Sequence, residues 1–147
     1  MIALFDTSVI VCLILQESGY QPVQDRLVDL SLTVRFSDFG KGEFAAAVGA
    51  KVRAGTIGAA AADTMLTQLD TWLTTDAIIP ITSADIKAAT GFIRRFETGL
   101  RLPDAIHIAV AYRIGCPIVS LDRIQLHAAL ACGVVPLHPL EIANAGE

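Results

Sequence analysis

The chain has 147 residues, 53% of them hydrophobic, with 11 basic against 15 acidic side chains and a formal charge of −4. That length suits one domain with a sizeable core, and the composition excludes a disordered chain and one that holds nucleic acid by bulk positive charge. No segment reaches the roughly 18 apolar residues of a membrane span, and the apolar N-terminus is broken by Asp6 and lacks a basic leader, so the expectation is a soluble, cytoplasmic protein.

In chain order, Ile2 to Phe5 reads as a short buried strand. Ser8 to Glu17 reads as a helix capped by Thr7 or Ser8 and stopped at Gly19. Pro22 to Leu30 is amphipathic, with Val23, Leu27 and Leu30 on one helical face. Leu32 to Ser37 reads as a strand. Lys41 to Arg53 stacks Phe44, Val48 and Val52 at four-residue spacing ahead of Gly55, which predicts a helix. Ile57 to Leu73 is the next helix, carrying Met65, Leu69 and Trp72, and Ala77 to Ile81 is a strand. Ser83 caps a helix running to Phe96, and Pro103 opens another that Gly115 closes after Ile114. Pro117 to Leu121 is a strand, Gln125 to Ala131 a helix ended by Gly133, and Val134 to Leu137 a last strand.

The strands are continuous apolar runs alternating with helices. The expected class is therefore α/β, a three-layer α/β/α sandwich around a mostly parallel central sheet of about five strands. No linker or repeat divides the chain, so residues 1–147 are expected to form a single domain. Cys12, Cys116 and Cys132 are odd in number, scattered and without a CxxC pair, which argues against a disulfide framework or a zinc site. They read as small buried hydrophobes of a reducing compartment.

In such sheets ligands gather at the carboxyl ends of the strands. Asp6 ends the first strand, Asp122 ends Pro117 to Leu121, and Glu43 and Asp104 open helices. Each alone has an ordinary explanation: a cap for Asp6, a first-turn carboxylate for Glu43 and Asp104, a strand-end turn for Asp122. Converging, the four would repel one another unless a cation held them. Hard carboxylate oxygens suit Mg²⁺ or Mn²⁺. The set points to a metal-dependent enzyme acting on phosphoesters, and the net charge does not oppose this, because bound cations reverse the local field. Lys41, Lys51 and Arg53 near Glu43, and Arg94, Arg95 and Arg101 before Asp104, are either phosphate contacts or solvated helix faces. His107, within Ala105-Ile106-His107-Ile108-Ala109, is open to roles as a base or a ligand, but its apolar neighbours favour a packed core residue with a satisfied ring. His127 and His138 have no partner legible in the sequence.

Five segments together carry a resemblance: Phe5-Asp6-Thr7-Ser8, Ser37 through Glu43-Phe44, Leu102-Pro103-Asp104-Ala105-Ile106-His107-Ile108-Ala109, Val119-Ser120-Leu121-Asp122-Arg123, and Ala131-Cys132-Gly133-Val134. Over nearly its whole length the chain resembles the PIN-domain ribonucleases, and within them the VapC-type toxins of bacterial toxin–antitoxin pairs. The resemblance implies a PIN-like form of the sandwich and metal-binding and catalytic roles for Asp6, Glu43, Asp104 and Asp122. It implies that Thr7, Ser8 and Ser120 support the site. It further implies an endoribonuclease that uses Mg²⁺ or Mn²⁺ on an RNA substrate, a homodimer, and a cognate antitoxin protein that blocks the site. One departure stands out: the family's usual aromatic three residues after the fourth acid is Gln125 here, which reads as a change in helix packing. Two other readings are weighed. A non-catalytic PIN-fold RNA-binding or interaction scaffold tends to lose one of the four acids, whereas this chain keeps all. A phosphatase of the haloacid dehalogenase type needs a second aspartate two residues after the first, and that position holds Ser8.

Overall fold

The computed structural model describes residues 1–141. Among them, β1 (Ile2–Phe5), β2 (Thr33–Ser37), β3 (Ile78–Ile79), β4 (Ile118–Val119) and β5 (Pro136–Leu137) form one sheet in the order β3-β2-β1-β4-β5. Every pairing in it is parallel. The helices are α1 (Thr7–Ile14), α2 (Tyr20–Asp29), α3 (Asp38–Arg53), α4 (Ala59–Trp72), α5 (Ser83–Ile93), α6 (Leu102–Ile114) and α7 (Arg123–Ala131). None of these helices is long and apolar enough to cross a membrane. The three cysteines are free, Cys12 and Cys132 buried and Cys116 half-buried.

Alternation along β1 divides the core in two. Ala3 and Phe5 join Val9, Ile10, Phe36, Phe44 and Leu69 in one cluster, which packs α1, α3 and α4 on one face of the sheet. Leu4 joins Ile106, Ile108, Val110, Ile118 and Leu126 in the other, under α6 and α7. A parallel sheet needs both faces covered, which is why its strands read as unbroken apolar runs. This is the α/β/α sandwich expected from the sequence.

The chain lays β1, β2 and β3 outward in one direction, then crosses back to place β4 on the other side of β1. The strand order therefore reverses between β1 and β4. The crevice outside the carboxyl ends at such a switch point is where open α/β sheets bind ligands. Leu4 pairs with Ile118 and Phe5 with Val119, and the Asp6 amide donates to the Val119 carbonyl at 2.9 Å. Asp6 and the segment leading to Asp122 thus leave the sheet side by side.

Several boundaries differ from expectation, each for a local reason. β3, β4 and β5 are two residues each, shorter than the apolar runs that contain them. The cap of α1 is Asp6, not Thr7 or Ser8: its carboxylate accepts from the Ser8 amide. α3 opens at Asp38 and not at Lys41, because Ser37 caps it by accepting from the Gly40 amide. Gly40 is required there, since a Cβ would meet the Phe36 ring at 2.6 Å. Glu43 consequently lies in the second turn of α3 and does not open it. α5 ends at Ile93, and Phe96–Thr98 forms a separate short turn.

Candidate functional site

Asp6 and Asp122 are both helix caps at the switch point. Asp6 Oδ2 accepts from the Ser8 amide at 3.1 Å and from the Ser120 hydroxyl at 3.2 Å. Asp122 Oδ1 accepts from the Ile124 and Gln125 amides at the start of α7. Ser120, wholly buried, also accepts from the Asp122 amide at 3.0 Å, so one hydroxyl links the two acids. The Ser8 hydroxyl accepts from the Leu121 amide and lies 3.4 Å from that of Ser120. Capping does not remove these carboxylates from the cluster, because a carboxylate has about four acceptor directions and a cap uses one or two.

Glu43 and Asp104 arrive from α3 and α6. The Thr7 hydroxyl donates to Glu43 Oε1 at 2.8 Å. His107 Nε2 forms a close contact with the same Glu43 oxygen and lies 3.5 Å from Asp6 Oδ1. His107 thus joins Glu43 to Asp6. Asp104 is half-buried in the first turn of α6, with the exposed Arg101 side chain 3.4 Å from its Oδ2.

Withdrawal from water raises the carboxyl pKa of Asp104, Arg101 opposes the rise, and the facing charges of Asp122 and Asp6 add to it. Burial by itself would lower the His107 pKa, but Glu43, Asp6 and Asp104 more than offset that and hold it above the ordinary histidine value. These couplings link the four acids in series, Glu43, Asp6 and Asp104 through His107 and Asp122 through Asp104. Oxygen donors with mutual repulsion are the chemistry that a hard divalent cation relieves. Among the described residues no three His, Cys, Asp or Glu side chains already surround a single point. A magnesium site does not need that, since the ion keeps several waters and takes one or two carboxylates plus substrate phosphate.

Two residues here were misjudged from sequence. His107 is 1% exposed, yet its ring is not satisfied by core neighbours: Nε2 faces acids and Nδ1 has no hydrogen-bond partner. Its spacing in the apolar run hid this, although one helical turn from Asp104 was the available signal. Gln125 is also 1% exposed, and its amide Nε2 reaches Asp6 Oδ1 and the Asp104 carbonyl, each at 3.3 Å. It does more than pack a helix. A polar residue in phase with buried Ala128 and Ala129 was the sign to look for.

The basic clusters divide. Arg101 contacts the site, whereas Lys41 pairs with Asp70 at 2.7 Å and Arg95 with Glu97 at 3.5 Å and the Ala131 carbonyl. His138 accepts from the Leu140 amide away from the acids.

A family model described as PIN domain matches residues 3–130. Among solved structures, FitAcB from Neisseria gonorrhoeae aligns with a TM-score of 0.73 at 17% identity, covering 97% of this chain and 100% of that one. A toxin–antitoxin complex from Klebsiella pneumoniae aligns at 0.65 with 24% identity, covering 95% and 99%. VapBC-1 from nontypeable Haemophilus influenzae aligns at 0.69 with 10% identity, covering 95% and 98%. At such identities the likeness is one of fold. No curated protein sequence matches the chain.

Proposed function

The chain belongs to the PIN-domain family, and from that premise we propose that it is a metal-dependent endoribonuclease hydrolysing RNA phosphodiester bonds, the toxin of a toxin–antitoxin pair. The observation that carries this reading is the gathering of Asp6, Glu43 and Asp104 around His107, and of Asp122 against Asp104, at the sheet's switch point, with the Asp104 carboxyl held above its ordinary range.

Asp6, Asp104, Asp122 and Glu43 would hold Mg²⁺ or Mn²⁺. The ion, when bound, supplies Lewis-acid chemistry: it acidifies a water and offsets charge on the phosphate and the leaving oxygen. The chain's own residues supply the geometry. Ser8 and Ser120 hold Oδ2 of the Asp6 carboxylate, and Thr7 holds Glu43. Arg101, exposed beside Asp104, is placed to take a backbone phosphate of the RNA, a contact that positions the substrate without reading its sequence.

A cognate antitoxin and a homodimer are the partners of this reading, and the antitoxin is supported by the solved neighbour described as a toxin–antitoxin complex. An apolar groove of about 490 Å³ between α1, α2 and α4, lined by Leu13, Leu27, Val28 and Trp72, gives an antitoxin helix a surface to cover. Residues 1–147 act as one PIN domain in the cytoplasm.

The test is cleavage of labelled total RNA by antitoxin-free protein with Mg²⁺ or Mn²⁺, with EDTA, and by Asp6→Asn and Asp104→Asn. Metal-dependent cleavage lost in both folded variants is the expected result. A wild type that binds RNA but cleaves nothing would replace the enzyme by a PIN-fold RNA-binding scaffold.

A further inference from the structure

Three of the four acids meet at one residue that is not an acid. The backbone amide of Gln125 donates to Asp122 Oδ1 at 3.2 Å. Its side-chain Nε2 reaches Asp6 Oδ1 and the Asp104 carbonyl at 3.3 Å each. Gln125 therefore ties the end of β1, the first turn of α6 and the first turn of α7 to one another. The orientation of its amide follows from chemistry: reversed, Oε1 would face a carboxylate and a carbonyl, both acceptors only.

The arrangement carries a cost. Gln125 Oε1 is buried without a hydrogen-bond partner. An apolar side chain at this place in α7 would leave no such orphan. The side-chain bonds of this amide are made by its donor end, and that is where its work lies. Asp6 shows what that work is. Ser8 and Ser120 hold Oδ2, whereas among the described residues Oδ1 has, besides Gln125, only the more distant His107 Nε2 at 3.5 Å. The Gln125 amide holds Oδ1, and does so from the same nitrogen that grips the Asp104 backbone.

The geometry points to Gln125 as a positioning residue that sets the spacing of Asp6, Asp104 and Asp122 and thereby the site's affinity for a divalent cation. This rests on the metal-dependent reading above. The protein touches the cation through its carboxylates, and groups that orient such ligands typically change metal affinity by about 10–100-fold when removed.

The experiment is calorimetric Mn²⁺ binding to the full chain without RNA, for wild type, Gln125→Met, Gln125→Asn and Leu126→Ala. Gln125→Met keeps the volume and removes the donor. Gln125→Asn keeps the amide and withdraws it from Asp6. Leu126→Ala loosens the buried face of the same helix without touching an acid, so it reports what a merely structural disturbance does. The expected result is Mn²⁺ binding about tenfold weaker in both Gln125 variants and within about twofold of wild type in Leu126→Ala. Wild-type affinity in either folded Gln125 variant, or an equal loss in Leu126→Ala, would overturn the assignment while leaving the metal-dependent reading intact. A wild type that takes up no Mn²⁺ would remove both.

Discussion

Two aspartates on neighbouring helices, Asp85 in α5 and Asp104 in α6, are both withdrawn from solvent, and they titrate in opposite directions. Asp85 is almost wholly buried, and burial alone would push its pKa up. Arg113 and Thr82 outweigh that and hold its carboxyl below the usual range. The pairing is bidentate, Arg113 Nε to Oδ1 at 2.8 Å and an Arg113 terminal nitrogen to Oδ2 at 3.0 Å, and Thr82 completes a capping box. Asp104 has burial, Asp122 and Asp6 raising its pKa against a single exposed arginine at 3.4 Å. The first carboxylate brings its counter-charge with it and serves as a structural tie between α5 and α6. The second stands among other acids, with the exposed Arg101 and the buried His107 as its facing cationic groups, an arrangement that a divalent cation would relieve. An acid's surroundings, and not its burial, separate a fold residue from a candidate ligand.

The contrast yields tests, the largest effect first. Asp6→Asn should lower RNA cleavage by about 100-fold or more, while chemical denaturation shows stability within about 1 kcal/mol of wild type, because asparagine also caps a helix well. Arg113→Leu should do the reverse. Breaking the Asp85 pair strands a buried carboxylate, which costs on the order of 3 kcal/mol, at the lower end for a partly exposed arginine. Urea unfolding would show that loss, with the cleavage rate of the folded fraction unchanged. Asp104→Asn in EDTA should raise stability at pH 7 by up to about 1 kcal/mol, as removing strained functional groups commonly does; a thermal melt with and without EDTA checks it, and a fall in stability would mean that Asp104 is better compensated than its surroundings indicate.

The smallest effect is one of pH. The lowered pKa of Asp85 means its pair contributes stability that is present above the unfolded value of about 3.9 and is lost as pH falls through the lower folded value. The raised pKa of Asp104 has the opposite sign: stability is present below the unfolded value and is lost as pH rises through the folded one. In metal-free protein the stability difference between wild type and Arg113→Leu should close on acidification below about pH 4. The difference between wild type and Asp104→Asn should also close on acidification, but with the opposite sign, opening towards neutrality in favour of the variant. Unfolding curves across pH 3–7 would separate the two.

Most of the fold was legible because the strongest patterns, continuous apolar strands and four-residue helical spacing, come from the core itself. Boundaries were less legible where side chains serve two purposes. Asp6 looked unnecessary as a cap beside Thr7 and Ser8, but those hydroxyls bond to Glu43, Leu121 and Ser120 instead. The expected helix start at Lys41 fell three residues late, and the reason for Gly40, the Phe36 ring against it, lies on another element. Asp6, Asp104 and Asp122 could be picked as candidates from their places at a strand end and at helix starts, whereas Glu43 was picked for a helix start that it does not occupy. Gln125 and His107 drew notice in the sequence, but their roles could not be read there, since their partners are 119 and 64 residues away.

The pairing of β1 with β4 has a consequence in time. Asp6 is synthesised more than 110 residues before its neighbours Val119 and Ser120. Contacts of such long range are late and slow to form. At a synthesis rate of about 5–20 residues per second, several seconds pass in which the nascent chain holds Asp6, then Glu43, then Asp104, but no assembled cluster. A chain released before residue 118 would have the first three acids and no β4 to set them against, so any activity of the site waits on the synthesis of β4.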